Sequence, residues 1–522
     1  MAGRHRTPNR LKEWAKTHGR LLGWATILLL LIPVAAVSAP AAYDQVWGNR
    51  VDARDCEIDA VLPGVSFPEC TTTTSSTTTS STTTSTTTST STTTTTLPTT
   101  TTTQPTTTTT AATTTSTAPT TSTTSPGGGS ILTGNVCATV TGTATLVGSV
   151  NLTCDLMVMG PSAVLRARPG VAVTGNNFQI MFHMGARADF QGTPTSTWSN
   201  DGLTQNRTRD ITFTGLARIM FHEGAGPSTL RFFSILNSGR QGQVGFYPLH
   251  FHLNGNTTRG TLVEGVVIGN SQNRAFVPHG SHGITFRDTI AFNTRGPAYW
   301  WDPGFAPNAS NDILFDHALS DGSIGENASD RGYRLAAFTL RDGTNLTVRN
   351  SVARNVNPLS DKDCSGFQWP EDAETAWVFE DNASFSTNCG NGIFVWQNEG
   401  PVHIVERFRT NGAINHGAYN NKYDYRNVTA TAFEAHAIGW RMSNSSVGAV
   451  TFFEHAVPNP AGVVWSNVNV TSFHMFDSPD RESNDHPTLL TATGGNLTCG
   501  MINWTGSHPS SRVVINGSTC AR

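Results

Sequence analysis

Ile284-Thr-Phe-Arg-Asp-Thr-Ile-Ala-Phe-Asn293, Leu346-Thr-Val-Arg-Asn-Ser-Val-Ala-Arg-Asn355 and Trp377-Val-Phe-Glu-Asp-Asn-Ala-Ser-Phe-Ser386 repeat one pattern. Apolar and polar residues alternate, an Asp or Asn interrupts, and the alternation resumes. Alternation with period 2 on both sides of an Asp/Asn corner reads as strand, sharp turn, strand. The 49 glycines of the chain supply more of the positive-φ backbone that such corners need. Looser copies lie at Val263–Asn270, Ile313–Ser320 and Val463–Val470. Several copies stand roughly 20–30 residues apart, the length of one turn of a solenoid whose rungs bury their inward side chains on one another. No helical periodicity follows Gly127. A β-sandwich or propeller is the competing architecture. Irregular spacing without a blade signature favours the solenoid.

Working outward, residues 131–232 are also rich in short alternating runs, such as Val171-Ala-Val-Thr174 and Phe178-Gln-Ile-Met-Phe182. They are expected to form a β-rich unit that caps or begins a right-handed parallel β-helix over 233–522. A first rung would otherwise expose apolar surface and unpaired backbone. Upstream, residues 71–130 are dominated by Thr and Ser, with too little apolar surface to repay the entropy of ordering, and read as a disordered linker or stalk. Residues 43–70 form a short stub carrying Cys56 and Cys70. Residues 1–42 pair a basic stretch with an apolar run from Leu21 to Ala39, the pattern of a signal peptide or of a signal anchor. Either reading puts the bulk of the chain outside the cell, secreted or held at the surface, with membrane contact only through an uncleaved N-terminal segment.

Composition narrows the function. Charged residues are 14% of the chain and the formal net charge is -3, which excludes a nucleic-acid binder working through broad phosphate electrostatics. Lysine is scarce after Lys16, at Lys362 and Lys422, whereas Arg recurs. A planar guanidinium suits carboxylated or sulfated sugars, although codon bias explains the ratio equally well. The 8 cysteines, Cys56, Cys70, Cys137, Cys154, Cys364, Cys389, Cys499 and Cys520, fall in adjacent couples without a Cys-x-x-Cys, which points to disulfides in an oxidising compartment rather than to a structural zinc.

Candidate chemistry concentrates between 247 and 317. His250 and His252 are two apart, so on a strand both point to one face, and His279 and His282 follow about one rung later. Four converging imidazoles would suit a transition metal, or an acid/base group working with Asp302. Core packing and turn formation are the alternatives for each histidine taken singly. Asp302 follows Tyr299-Trp300-Trp301, an aromatic run that reads either as core or as a sugar-stacking wall. Asp316 and His317 lie on a nearby rung, and Asp288 sits at a repeat corner, where Asp more often serves the turn. Glu371, Asp372 and Glu374 near Trp369 form an acidic patch open to Ca²⁺ or to solvent alone.

The stretches Tyr247-Pro-Leu-His-Phe-His-Leu-Asn254, Asn273-Arg-Ala-Phe-Val-Pro-His-Gly-Ser-His-Gly-Ile284, Gly296-Pro-Ala-Tyr-Trp-Trp-Asp-Pro-Gly304 and Phe315-Asp-His-Ala-Leu319 resemble, in order and spacing, the β-helix region of a family. It comprises the cell-migration-inducing hyaluronan-binding protein, its transmembrane hyaluronidase relative and the fibrocystin-like receptors. The resemblance implies an eight-glycine domain over 131–232, a right-handed parallel β-helix after it, and a role directed at hyaluronan or a similar glycan. It places Arg274 at a matching position, suited to clamping a substrate carboxylate. Where the family tends to carry Glu-Asp-Gly, this chain has Asp302-Pro303-Gly304, which keeps one carboxylate of two.

The expectation is therefore an extracellular polysaccharide-active β-helix that cleaves an acidic or amino-sugar glycan. His250, His252, His279, His282 and Asp302 are its catalytic candidates, and Arg274, Tyr299, Trp300, Trp301, Asp316 and His317 its substrate-binding candidates. The four histidines are also its metal candidates, with Ca²⁺ or a transition metal as the ion. A non-catalytic glycan-binding or adhesin-type solenoid is the alternative.

Overall fold

The computed structural model describes residues 123–124, 129–300, 309–325, 336–340, 343–357, 364–368, 375–388, 390–395, 398–416, 421–436, 440–453, 462–476, 488–505 and 510–522. These residues form a parallel β-helix. Successive strands pair with the strand three places on: Gln179–His183 with Arg218–Phe221, that strand with Leu249–Gly255, and that one with Phe276–Ser281. Three strands therefore complete a rung. The remaining ladders run parallel too, except at the two ends, where Thr123–Thr124 pairs antiparallel with Ser130–Val136 and Arg512–Ile515 with Ser518–Thr519. This register excludes the sandwich and the propeller.

Rungs are uneven in length. Val450 lies beside Phe433, 17 residues on, whereas Phe221 lies beside Phe182 and Phe338 beside Tyr299, each 39 residues on. The pairing crosses residue 232 without a break, through Thr212↔Ser234 and Thr229↔Leu262. The β-rich region from 131 onward thus begins the coil, in continuous register with it.

The repeat corner is where the sequence speaks most directly. Asp288, His317, Asn350, Asp381, Arg407, Asn427, Asn444 and Asn467 stand at φ between 48° and 55° on consecutive rungs. Each of the first six donates its backbone N–H to a carbonyl one rung on, as Asp288 does to Asp316 and Asn350 to Glu380. Asn and Asp tolerate this left-handed backbone because their side chains bond locally. Gly265 takes the same place one rung earlier, where a Cβ would lie 2.3 Å from the Phe232 ring.

Inside the coil, alternation delivers aromatic stacks. Phe182, Phe221 and Phe251 stack at 4.7 Å between neighbours, and Phe276, Tyr299, Phe338 and Phe367 form a second column at 4.4 to 5.0 Å. Burial of each ring contributes about 1.5–3 kcal/mol, and each stacked pair about 0.5–1.5 kcal/mol more. The coil is stapled at both ends, by Cys137–Cys154 and by Cys499–Cys520. Closing loops of this size stabilises by about 3 kcal/mol each in the chain-entropy picture. Cys364 is also disulfide-bonded. Cys56, Cys70 and Cys389 lie outside the described residues, as do the export segment, the stub and the Thr/Ser tract apart from residues 123–124 and 129–130.

Candidate active site

Because the side chains of a strand alternate, Leu249 and Phe251 enter the core while His250 and His252 face out of the coil. The register then sets histidine on histidine: His252 pairs with His279 on the next rung. Ring centroids lie 5.0 Å apart for His250–His252, 4.9 Å for His252–His279 and 6.1 Å for His250–His279. One ligand atom from each of the three falls within 4.8 Å of the others. Among the described residues no carboxylate joins this group.

The outer face is unusually well covered here. His250 is 1% and His252 5% exposed, and His279 alone of the three is half-buried. Tyr247, Val277 and Trp300 form a small apolar cluster of their own, with the Tyr247 ring edge-on to His250 at 4.9 Å. The Arg274 guanidinium lies 4.1 Å from the centre of the Trp300 ring and donates to the Tyr247 hydroxyl at 3.5 Å. Beyond His252 the strand turns: Leu253 takes φ 50°, and buried Asn254 locks the bend. Its Nδ2 donates to the Phe221 carbonyl at 2.9 Å, and its Oδ1 accepts the Ala225 N–H at 3.0 Å.

Electrostatics favour a neutral ring at His252. Burial, then the neighbouring His250, His279 and His222, hold His252 well below the usual imidazole range. Its Nδ1 is buried without a hydrogen-bond partner among the described residues. A neutral imidazole with an open lone pair is the form that accepts a proton or a metal ion.

Two further histidines extend the column and were not singled out from sequence. His222 stacks on His252 at 5.3 Å, and His183 lies 4.8 Å from His222. The signal was present. Ile180-Met-Phe-His183, Ile219-Met-Phe-His222 and Leu249-His-Phe-His252 are the same four positions on three rungs.

Other candidates fall elsewhere. His282 stays outside the group: its Nδ1 accepts the Asn311 N–H at 3.1 Å, which makes it a corner residue. Tyr299 points inward, fully buried between Phe276 and Phe338, with its hydroxyl bonded to Thr289 and donating to the Leu319 carbonyl. Burial also raises its phenol far above the usual range, so Tyr299 is a core residue and not a sugar-stacking wall. Trp300, its neighbour, faces out. Asp316 and His317 lie on another face of the coil. Burial opposes the charge of Asp316, but Arg349, Asn350 and Arg287 outweigh it and keep the carboxyl below its usual range. His317 stacks on Trp198 at 3.7 Å and bonds Asp288 at 2.8 Å, in a corner covered by the 193–209 segment. Trp301 and Asp302 lie outside the described residues, as do Trp369, Glu371, Asp372 and Glu374.

Comparison with known proteins agrees with the resemblance. Residues 213–305 match the family model described as the CEMIP beta-helix. Human cell surface hyaluronidase CEMIP2 is 26% identical over 169 residues, 31% of this chain and 11% of that protein. Human cell migration-inducing and hyaluronan-binding protein is 34% identical over 82 residues, 15% of this chain and 6% of that protein. A G8 domain-containing protein of Dictyostelium discoideum is 27% identical over 161 residues, 30% of this chain and 9% of that protein. The chain thus spans about a tenth or less of the length of these relatives. Among solved structures, the catalytic domain of a GH87 alpha-1,3-glucanase in complex with tetrasaccharides aligns with a TM-score of 0.37 and 11% identity, over 65% of this chain and 64% of that one, a likeness too slight to carry an argument. The stretches Tyr247–Asn254 and Asn273–Ile284, on which the resemblance was read, fall inside the matched span, and it is this central part of the coil that resembles the hyaluronan-binding and hyaluronidase family.

Proposed function

We propose that the protein acts outside the cell on an acidic or amino-sugar polysaccharide of the hyaluronan type and cleaves its glycosidic bonds at the His250–His252–His279 group. The observation that carries this reading is one cluster of three imidazoles on the outer wall of the coil, open where His279 meets solvent, with a guanidinium and an indole beside it. Extended polymers suit the side of a solenoid, where they meet several rungs at once. The disulfides fit an oxidising, extracellular setting.

In this reading the His252 imidazole supplies the proton acceptor, Arg274 neutralises a substrate carboxylate, and Trp300 packs beside the group. Asp302 is proposed as the acid. It stands three residues after Tyr299, as His279 stands three after Phe276, and Phe276 pairs with Tyr299. A base with a cation serves β-elimination from a uronic acid, whereas hydrolysis ordinarily calls for two carboxylates about 5–9.5 Å apart. The products separate the two reactions. Full-length protein incubated with hyaluronan, chondroitin and heparosan is expected to release new reducing ends, and ultraviolet absorbance of unsaturated uronate marks elimination. Binding to these glycans with no product from any of them would replace the enzyme with the adhesin-type alternative.

A further inference from the structure

We infer that His250, His252 and His279 form a three-histidine centre for a single divalent transition-metal ion of the zinc, nickel or copper class. The inference stands on the coordinates of the three rings and does not require glycan cleavage.

The rings are spaced as ligands of one ion. A metal–imidazole nitrogen bond is about 2.0–2.1 Å, and the ring centre lies about 1.1 Å further out, so two ligands at a tetrahedral angle place their ring centres about 5.2 Å apart. The observed separations of 4.9, 5.0 and 6.1 Å bracket that value. Ring rotations bring the nitrogens, now within 4.8 Å of one another, to their bonding positions. The backbone need not move, because the sheet sets the spacing: one ligand pair is a single rung apart and the other is two residues apart on one strand.

The donor atoms suit such an ion as well. His252 is 5% exposed, and its Nδ1 faces no hydrogen-bond donor or acceptor among the described residues. A buried imidazole nitrogen left so costs roughly 1–3 kcal/mol, which an ion would offset. Three imidazole nitrogens, without thiolate or carboxylate among the described residues, suit borderline metals and not Ca²⁺ or Mg²⁺, which take oxygen. Three protein ligands also leave a fourth position, as catalytic zinc sites do. The half-buried edge of His279 opens it to solvent.

The two preceding rungs carry Met181 and Met220 at the position of His250, and among the described residues only the rung of His250 completes three imidazoles.

The test uses full-length protein without a histidine tag, stripped with a strong chelator and dialysed against Zn²⁺, Ni²⁺ or Co²⁺. One equivalent is expected to remain after desalting, and the Co²⁺ form is expected to show visible bands of a nitrogen-rich, four- or five-coordinate site. His250→Met, which copies the neighbouring rungs, is expected to weaken binding by more than about 100-fold, while His282→Ala keeps the full equivalent. Should His250→Met fail to fold, His279→Gln gives the same reading. Retention of the full equivalent by either folded variant, or less than a tenth of an equivalent on the wild type, overturns the inference. Metal binding without glycan products removes only the function proposed above. Products from a metal-free, chelator-treated protein remove only the metal.

Discussion

Two neighbouring parts of one sheet differ in one outward-facing side chain. On the rungs of Ile180-Met-Phe-His183 and Ile219-Met-Phe-His222, the phenylalanine fills the core, the methionine pads the outer face, and one histidine stands outside. On the rung of Leu249-His-Phe-His252 the backbone, the inward Phe and the second histidine are the same, but His250 replaces the methionine. A column of imidazoles becomes a cluster. The interior that holds these rungs together is common to all, and the chemistry lies in what the outer face adds.

That division gives the largest expected effect to the shared interior. Phe251→Ala removes the last ring of the Phe182–Phe221–Phe251 stack and is expected to cost about 3–5 kcal/mol, read by denaturant unfolding. A loss below about 1 kcal/mol would mean that the rungs do not depend on the stack.

Buried histidines away from the cluster provide the next effect, through pH. Burial pushes His403 down to about 4, and its Nδ1 accepts the Trp377 N–H, which needs an unprotonated nitrogen. Burial, then His222, pushes His183 to about 4 as well. Both pKa values lie below the ordinary 6.5. Between these values the unfolded chain therefore binds more protons than the folded one. Stability is complete above pH 6.5 and is expected to fall as the pH drops toward 4. His403→Gln should flatten part of that slope in thermal melts, and an unfolding midpoint that stays level from pH 6.5 to 4 would contradict it.

A smaller gain should come from building the cluster elsewhere. Met181 stands to His183 and His222 as His250 stands to His252 and His279, and the His183–His222 separation of 4.8 Å matches the 4.9 Å of His252–His279. Met181→His is expected to raise bound Zn²⁺ from one equivalent to two by elemental analysis. A count that stays at one would show that the pattern alone does not make the site. Smallest of all, Asn350→Ala puts an ordinary side chain at φ 52° and is expected to cost about 1 kcal/mol with no change in products.

The parts legible in the sequence are those set by local rules. Asp288, Asn350 and Asp381 were read as corners, and all three adopt left-handed backbone, because Asp and Asn carry that preference with them. The adjacent Cys couples at each end closed as expected. What was not legible depends on contacts far apart in the chain. Trp198 covers His317 from 119 residues away, so nothing beside His317 marks it as a packed corner. Tyr299 and Trp300 read as one aromatic run, either core or sugar-stacking wall, yet strand alternation sends the first into the core and the second outside. His282 looked equivalent to His279, but it lies past the strand end and serves the turn. His183 and His222 were legible in principle, through the repeated Ile-Met-Phe-His, once the four-residue run is compared at the spacing of a long rung.

The most direct test of the account compares wild type with His250→Met on hyaluronan, chondroitin and heparosan, using full-length protein and counting reducing ends. The account predicts glycan products from the wild type and a loss of at least about 100-fold in the variant, with melting temperatures that agree. Equal rates from the two proteins, at equal stability, would show that the imidazole cluster is not where the polymer is cut.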